Sequence, residues 1–159
     1  MCWSSKYPPI KRNAQNHIIV YKVVRYIDSS ECRSLYYKWF KYVYKRVYRD
    51  PDSLEIKESR DMYGWEIYRG FHSYATMDRA LRGYEDAITY NYGKVALVEC
   101  TIPIGSVFYK NNDDEIVSNG IFIDRILKTN VKLPCAWTII YLFIIILLSC
   151  FILFKLFIS

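Results

Sequence analysis

The chain has 159 residues, 52% of them apolar and 18% aromatic, and 22 lysines and arginines against 16 acids give it a net charge of +6. So much aromatic mass excludes a disordered chain, and the length admits one modest domain with a tail rather than two full domains. Cys2, Cys32, Cys100, Cys135 and Cys150 form no CxxC and no Cys/His cluster at zinc spacing, and their odd number argues against a disulfide framework, so no metal site and a reducing compartment are expected.

Residues 1–16, with Pro8, Pro9, Asn13 and Asn16, are expected to be a flexible leader. "MCWSSKYPPIKRN" has neither the apolar run of a signal peptide nor the glycine that myristoylation needs. "HIIVYKVVRYI" (17–27) is dense in β-branched and aromatic residues and predicts a central strand. "SLYYKWF" and "KYVYKRVY" predict two more strands around a bend, with a helix through 34–48 as the rival. Arg33, Lys38, Lys41, Lys45, Arg46 and Arg49 make this segment basic, with no acid between them. Basic residues interleaved with aromatics suit nucleic acid or an anionic membrane surface; the plainer reading is a strand pair with a solvated face.

Residues 50–63 are polar and predict a loop, and "WEIYRGFHS" predicts a strand that turns at Gly70. "TMDRALRGYEDAITYN" carries Met77, Ala80, Leu81, Tyr84, Ala87 and Ile88 at helical spacing, with Thr76 as N-cap and Asp78 in the first turn. "KVALVECTI", "VFYK", "EIVS" and "IFIDRILK" predict the remaining strands, with "PIGS" and "NNDD" as connections. The domain, residues 17–128, is therefore expected to be α+β, a small, mostly antiparallel sheet with one main helix.

A linker at 129–132 leads to a single C-terminal transmembrane helix at 133–155 and a short far-side tail at 156–159. Residues 133–154 hold no charge, and 22 residues of helix span about 33 Å, enough for a hydrocarbon core of roughly 30 Å. Trp137 and Tyr141 sit where aromatic rings favour the headgroup region. Arg125, Lys128 and Lys132 precede the span and only Lys155 follows it, which orients the N-terminal domain to the cytosol. The expectation is a tail-anchored protein of the lipid bilayer, with Cys135 a lipidation candidate at the interface.

No GxSxG, Walker motif, GxGxxG or HExxH is present, which weakens hydrolase and nucleoside-triphosphatase readings. The residues left to carry chemistry are Tyr68, Arg69, His72, Ser73, Tyr74 and the acids Asp113, Asp114 and Glu115. Each has a plainer reading: His72 as part of a core corner, the acids as a hairpin connection, and Tyr84, Tyr90 and Tyr92 as packing between helix and sheet.

"GFHSYATMDRAL…VALVECTIPIGSVFYKNNDDEIVSNGIFIDRIL" (about 70–127) resembles a small uncharacterised domain of phages, large DNA viruses and bacteria, with a GFH turn, an IPxG turn and an ExVS strand. More distantly the order is similar to the ADP-ribosyltransferase fold. That likeness implies NAD as ligand, with His72 or Arg69 holding its ribose or phosphate, Tyr74 stacking on nicotinamide, and Glu115 binding the ribose 2′-hydroxyl and stabilising an oxocarbenium-like transition state. On it His72 and Glu115 would be catalytic and Arg69 and Tyr74 ligand-binding. The richness in Tyr, Ile, Lys and Asn also fits a viral protein at a host membrane.

Three functions stay open: a membrane-anchored interaction domain with a protein partner, an enzyme acting on NAD or ADP-ribose, and a binder of nucleic acid or anionic lipid. The enzyme reading requires Arg69, His72, Tyr74 and Glu115 to converge in one concavity.

Overall fold

The computed structural model describes residues 3–5, 9–37, 39–50, 54, 56–59, 64–67 and 69–131. In chain order its elements are β1 (Trp3–Ser5), β2 (Arg12–Asn13), β3 (Ile18–Tyr26), β4 (Glu31–Ser34), β5 (Lys41–Val43), β6 (Arg46–Arg49), β7 (Ile56–Ser59), β8 (Gly64–Ile67), β9 (Phe71–Tyr74), α1 (Met77–Thr89), β10 (Val95–Ile102), β11 (Val107–Lys110), β12 (Glu115–Ser118) and β13 (Gly120–Thr129). Among the described residues every strand pairing is antiparallel and there is one helix, so the class is α+β, as expected.

The main sheet runs β2-β11-β12-β9-β3-β10-β13-β6, and β4 branches from β3 to carry β5. The apolar runs of β3 and β10 pair along their whole length, from Val95↔Arg25 to Ile102↔Ile18. Register shifts along β10 and β13 bend the sheet. The two ends of the curl, β5 and β6, are joined by Tyr44 and Lys45 alone, and the Tyr48 hydroxyl accepts the Val43 N–H at 2.6 Å. Val20, Val24, Cys32, Tyr42, Ala96, Val98, Cys100, Ile121 and Ile123 fill the inside of the curl. On the other face, Ala80, Tyr84 and Ala87 of α1 pack on Val23, Val95 and Leu97. Each large side chain buried this way contributes about 1.5–3 kcal/mol.

α1 starts after Thr76, whose backbone is extended but whose hydroxyl makes no cap bond, and stops where Asn91 and Gly93 turn to φ of 53° and 85°. The buried stripe of Ala80, Tyr84 and Ala87 keeps the predicted helical spacing, while Ile88 and Tyr90 stay exposed, so Tyr90 does not pack helix on sheet.

Several local expectations change. Within the supposed flexible leader, β1 pairs with β8 and β2 with β11. The loop expected at 50–63 contains β7. "SLYYKWF" is not a strand: β4 starts earlier, at Glu31, and the chain turns after Ser34, leaving Tyr36, Tyr37, Trp39 and Phe40 exposed. Strand propensity in aromatics reflects packing on a half-buried surface, and here Phe40 finds only part of one, edge-on against Tyr42, Tyr48 and Phe71.

The expected linker at 129–132 is held to the sheet as far as Val131: Asn130 accepts the Val95 N–H at 2.8 Å and donates to the Gly93 carbonyl at 3.0 Å. Among the described residues no helix is long and apolar enough to cross a membrane. The predicted transmembrane helix, Cys135, Lys38 and Tyr68 lie outside the described residues.

Gly70, between β8 and β9, has φ of 129°, and a Cβ there would come within 2.6 Å of Val117 Cγ2 and 2.9 Å of Leu54 Cδ2. Strain and overlap act together, so Gly70→Ala is expected to cost about 2 kcal/mol or more in urea unfolding of the full chain in detergent.

Candidate functional site

One edge of β3 serves two strands. β9 meets it at Tyr21↔Tyr74, β4 meets it from Val24↔Ser34 onward, and between these points the two partners diverge. The gap is a cavity of about 60 Å³ whose walls include Lys22, Ser34, Tyr36, His72, Tyr74 and Glu115. That volume admits a few waters or one small polar group.

The β9–β12 register, with Glu115↔Tyr74 and Val117↔His72, puts His72, Tyr74 and Glu115 on the same face. Three of the four residues implied by the ADP-ribosyltransferase likeness therefore meet. Arg69 does not join them: it is exposed, in a neighbouring groove of about 380 Å³ with Phe40, Tyr42, Tyr48, Arg49 and Phe71. Gly70 and Tyr37 line both hollows.

The "NNDD" run is the expected hairpin connection, and its chemistry sets up Glu115. Asn111 Oδ1 accepts the N–H of Asp113 at 3.0 Å and of Glu115 at 2.9 Å, with Asp114 at φ 59°. The Glu115 carboxylate is then engaged: Arg79 Nη2 of α1 lies 3.0 Å from Oε1 and Asn111 Nδ2 donates to Oε2 at 3.3 Å. The Arg79 guanidinium also lies 5.4 Å from the centre of the Tyr74 ring. Gly83 makes room for that ring, since a Cβ there would sit 2.5 Å from the Tyr74 hydroxyl. A mid-helix glycine costs about 1 kcal/mol, so this one is explained by what it admits. The Glu115 carboxylate, which on that likeness would meet a ribose hydroxyl, is engaged by Arg79 and Asn111.

His72 is half-buried, and burial, reinforced by the Lys22 charge, pushes its pKa down to about 3, so its imidazole is neutral at pH 7. Lys22 sits inside the curl on the central strand, 7% exposed. Its ammonium donates to the His72 carbonyl and lies 5.6 Å from the Tyr42 ring centre. Burial lowers its pKa to about 8, with the Cys100 and Cys32 thiols as its ionisable neighbours. Burial pushes both thiols up, Cys32 to about 11, so neither supplies a thiolate at neutral pH. The sequence reading passed over Lys22 and Arg79. For Lys22 a signal existed: in "VYKVV" it holds the same inward period-2 position as Val20 and Val24.

The basic segment is not the uncompensated stripe it resembled. Lys41 pairs with Glu31 at 3.0 Å, Lys45 pairs with Asp124, and Arg46 lies 5.8 Å from the Tyr48 ring centre. Arg33 and Arg49 are exposed. Among the described residues no cluster of His, Cys, Asp and Glu could hold a metal ion. Comparison with protein-family models, curated proteins and solved structures finds no match to any of them.

Two outcomes follow. A His neutral in the fold but able to take a proton when unfolded makes stability fall as pH drops from about 6.5 towards 3, by at most about 1.4 kcal/mol per unit. Urea titrations at pH 7 and pH 5 should therefore show His72→Gln losing less stability than wild type, by about 1–2 kcal/mol. Arg79→Ala and Glu115→Ala should each cost about 1–2 kcal/mol, and the double variant less than their sum, since the pair is only partly exposed.

Proposed function

We propose that the chain is a single-pass, tail-anchored membrane protein whose cytosolic α+β domain is an interaction module working against the anionic surface of its own membrane. The anchor rests on the uncharged run at 133–154 and on the Arg125, Lys128 and Lys132 bias before it. The observation that carries the interaction role is the exposed loop after β4, where Trp39 is 83% and Tyr37 50% exposed, with Tyr36 and Phe40 beside them. Contiguous exposed aromatics mark a binding surface.

This loop lies next to the place where the chain leaves the sheet. Tyr36 makes an edge contact with Tyr92 at 6.2 Å between centroids, Gly93 follows Tyr92, and the Gly93 carbonyl takes the Asn130 amide. Val131 is thus two residues from the first residue of the proposed span. The same end carries Lys94 and Lys128, with Arg25 near the Tyr92 ring at 5.9 Å. Aromatic rings flanked by cations suit an anionic headgroup layer, where rings sit at the interface and each cation adds about 1 kcal/mol. The bilayer is therefore the first partner of this surface. The engagement of Glu115 by Arg79 and Asn111 sets the ADP-ribosyltransferase reading behind this one.

Full-length protein in vesicles should resist alkaline carbonate extraction, and Ile145→Arg with Ile146→Arg should release it; extraction of the wild type would end the anchor reading. In vesicles containing phosphatidylserine, brominated lipids should quench a Trp39 signal that disappears in Trp39→Phe. An anchored protein with an unquenched Trp39 would turn this surface over to a protein partner.

A further inference from the structure

We propose that the cavity at the β3 split binds a small oxyanion, the carboxylate or phosphoryl group of a ligand, with Lys22 as its cationic anchor. Lys22 is a buried charge on the central strand and lines the cavity wall. One of its N–H groups is taken by the His72 carbonyl. Among the described residues no carboxylate forms an ion pair with it, since Glu115, the acid in the same wall, pairs with Arg79. A buried ammonium needs a counter-charge, and a lysine whose two further donors meet no acceptor among the described residues is built to accept one from outside.

The rest of the wall agrees. Ser34 Oγ accepts the Tyr37 N–H at 3.2 Å and keeps its own hydrogen to donate. Tyr36 is held protonated, its pKa pushed up to about 12 by burial and by the neighbouring Tyr74. Neutral His72 offers a ring N–H without adding charge, and no described residue hydrogen-bonds its ring. Facing Lys22 from β4, β5 and β10 are the Cys32 thiol, Tyr42 and the Cys100 thiol, all neutral at pH 7. With Arg79 offsetting Glu115, the local field is that of one cation. The volume, about 60 Å³, fits one oxyanion group and leaves the body of a larger ligand to the adjoining groove of Tyr48, Arg49 and Arg69.

The test is thermal unfolding of the full chain in detergent, with sodium phosphate or sodium acetate exchanged for chloride at equal ionic strength. Wild type should gain roughly 2–5 °C at saturating anion. Lys22→Met, which removes the charge while keeping the bulk, should melt higher than wild type in chloride and show no anion response. A response to phosphate alone assigns a phosphoryl ligand, and to acetate alone a carboxylate. No response in wild type, or an equal response in Lys22→Met, overturns the proposal. Wild type alone decides the matter if the variant does not fold. Its response should vanish near pH 9.5, where Lys22 has lost its proton and surface lysines have not, and persistence there overturns the site.

Discussion

A strand has two edges, and one edge of β3 must satisfy two partners. β10 takes the other edge completely, while β9 and β4 share this one and separate around Lys22 and Val23. Backbone groups at such a separation cannot all find a ladder partner, and buried ones need another. The Lys22 ammonium supplies one by reaching the His72 carbonyl across the gap. The split lets the sheet curl on one side and carry β9, β12, β11 and β2 away as a separate arm on the other. The cavity, the neutral state of His72 and the buried lysine all descend from that division.

Around it the side chains are held by more than one element. Tyr74 is wedged between a glycine of α1 and an arginine of the same helix, and that arginine is tied to Glu115 on the neighbouring strand. Helix and arm are thus coupled through charge and ring contacts on the rim of the cavity. The arrangement looked like a glycosidic-bond chemistry in the chain order of its residues, but the carboxylate that would do that chemistry serves as the partner of Arg79. Shared residue types in a shared order do not fix what a carboxylate faces.

What the sequence revealed followed burial. β3, β10, β13 and α1 were legible because burial makes the strands mostly apolar, with β-branched residues dense along them, and gives the helix a 3.6-residue stripe. The short β1, β2 and β7, at two to four residues each, carry too few side chains to show a period. "SLYYKWF" misled because exposed aromatics carry the same letters as buried ones, and only the absence of a covering strand separates the two. His72, Tyr74 and Glu115 were found through their order and do share a face, whereas Arg69 falls one glycine short of it. Arg79 was hidden because its partner is 36 residues away, a pairing that only the register of β12 against β9 creates. Lys22 is visible in the period of β3, at the inward position it shares with Val20 and Val24.

The seal at the end of β13 has a mechanical meaning. Thr129 and Asn130 bond to Val95 and Gly93, so the last strand is pinned at the point where the chain departs. A pull on the residues beyond Val131, directed along the strand, loads the β10–β13 ladder in shear, with many hydrogen bonds resisting together. Ladders stretched this way yield far later than ladders peeled one bond at a time. The C-terminal exit is thus a stiff bracket as far as Val131, one that resists a pull on the chain better than a free strand end would.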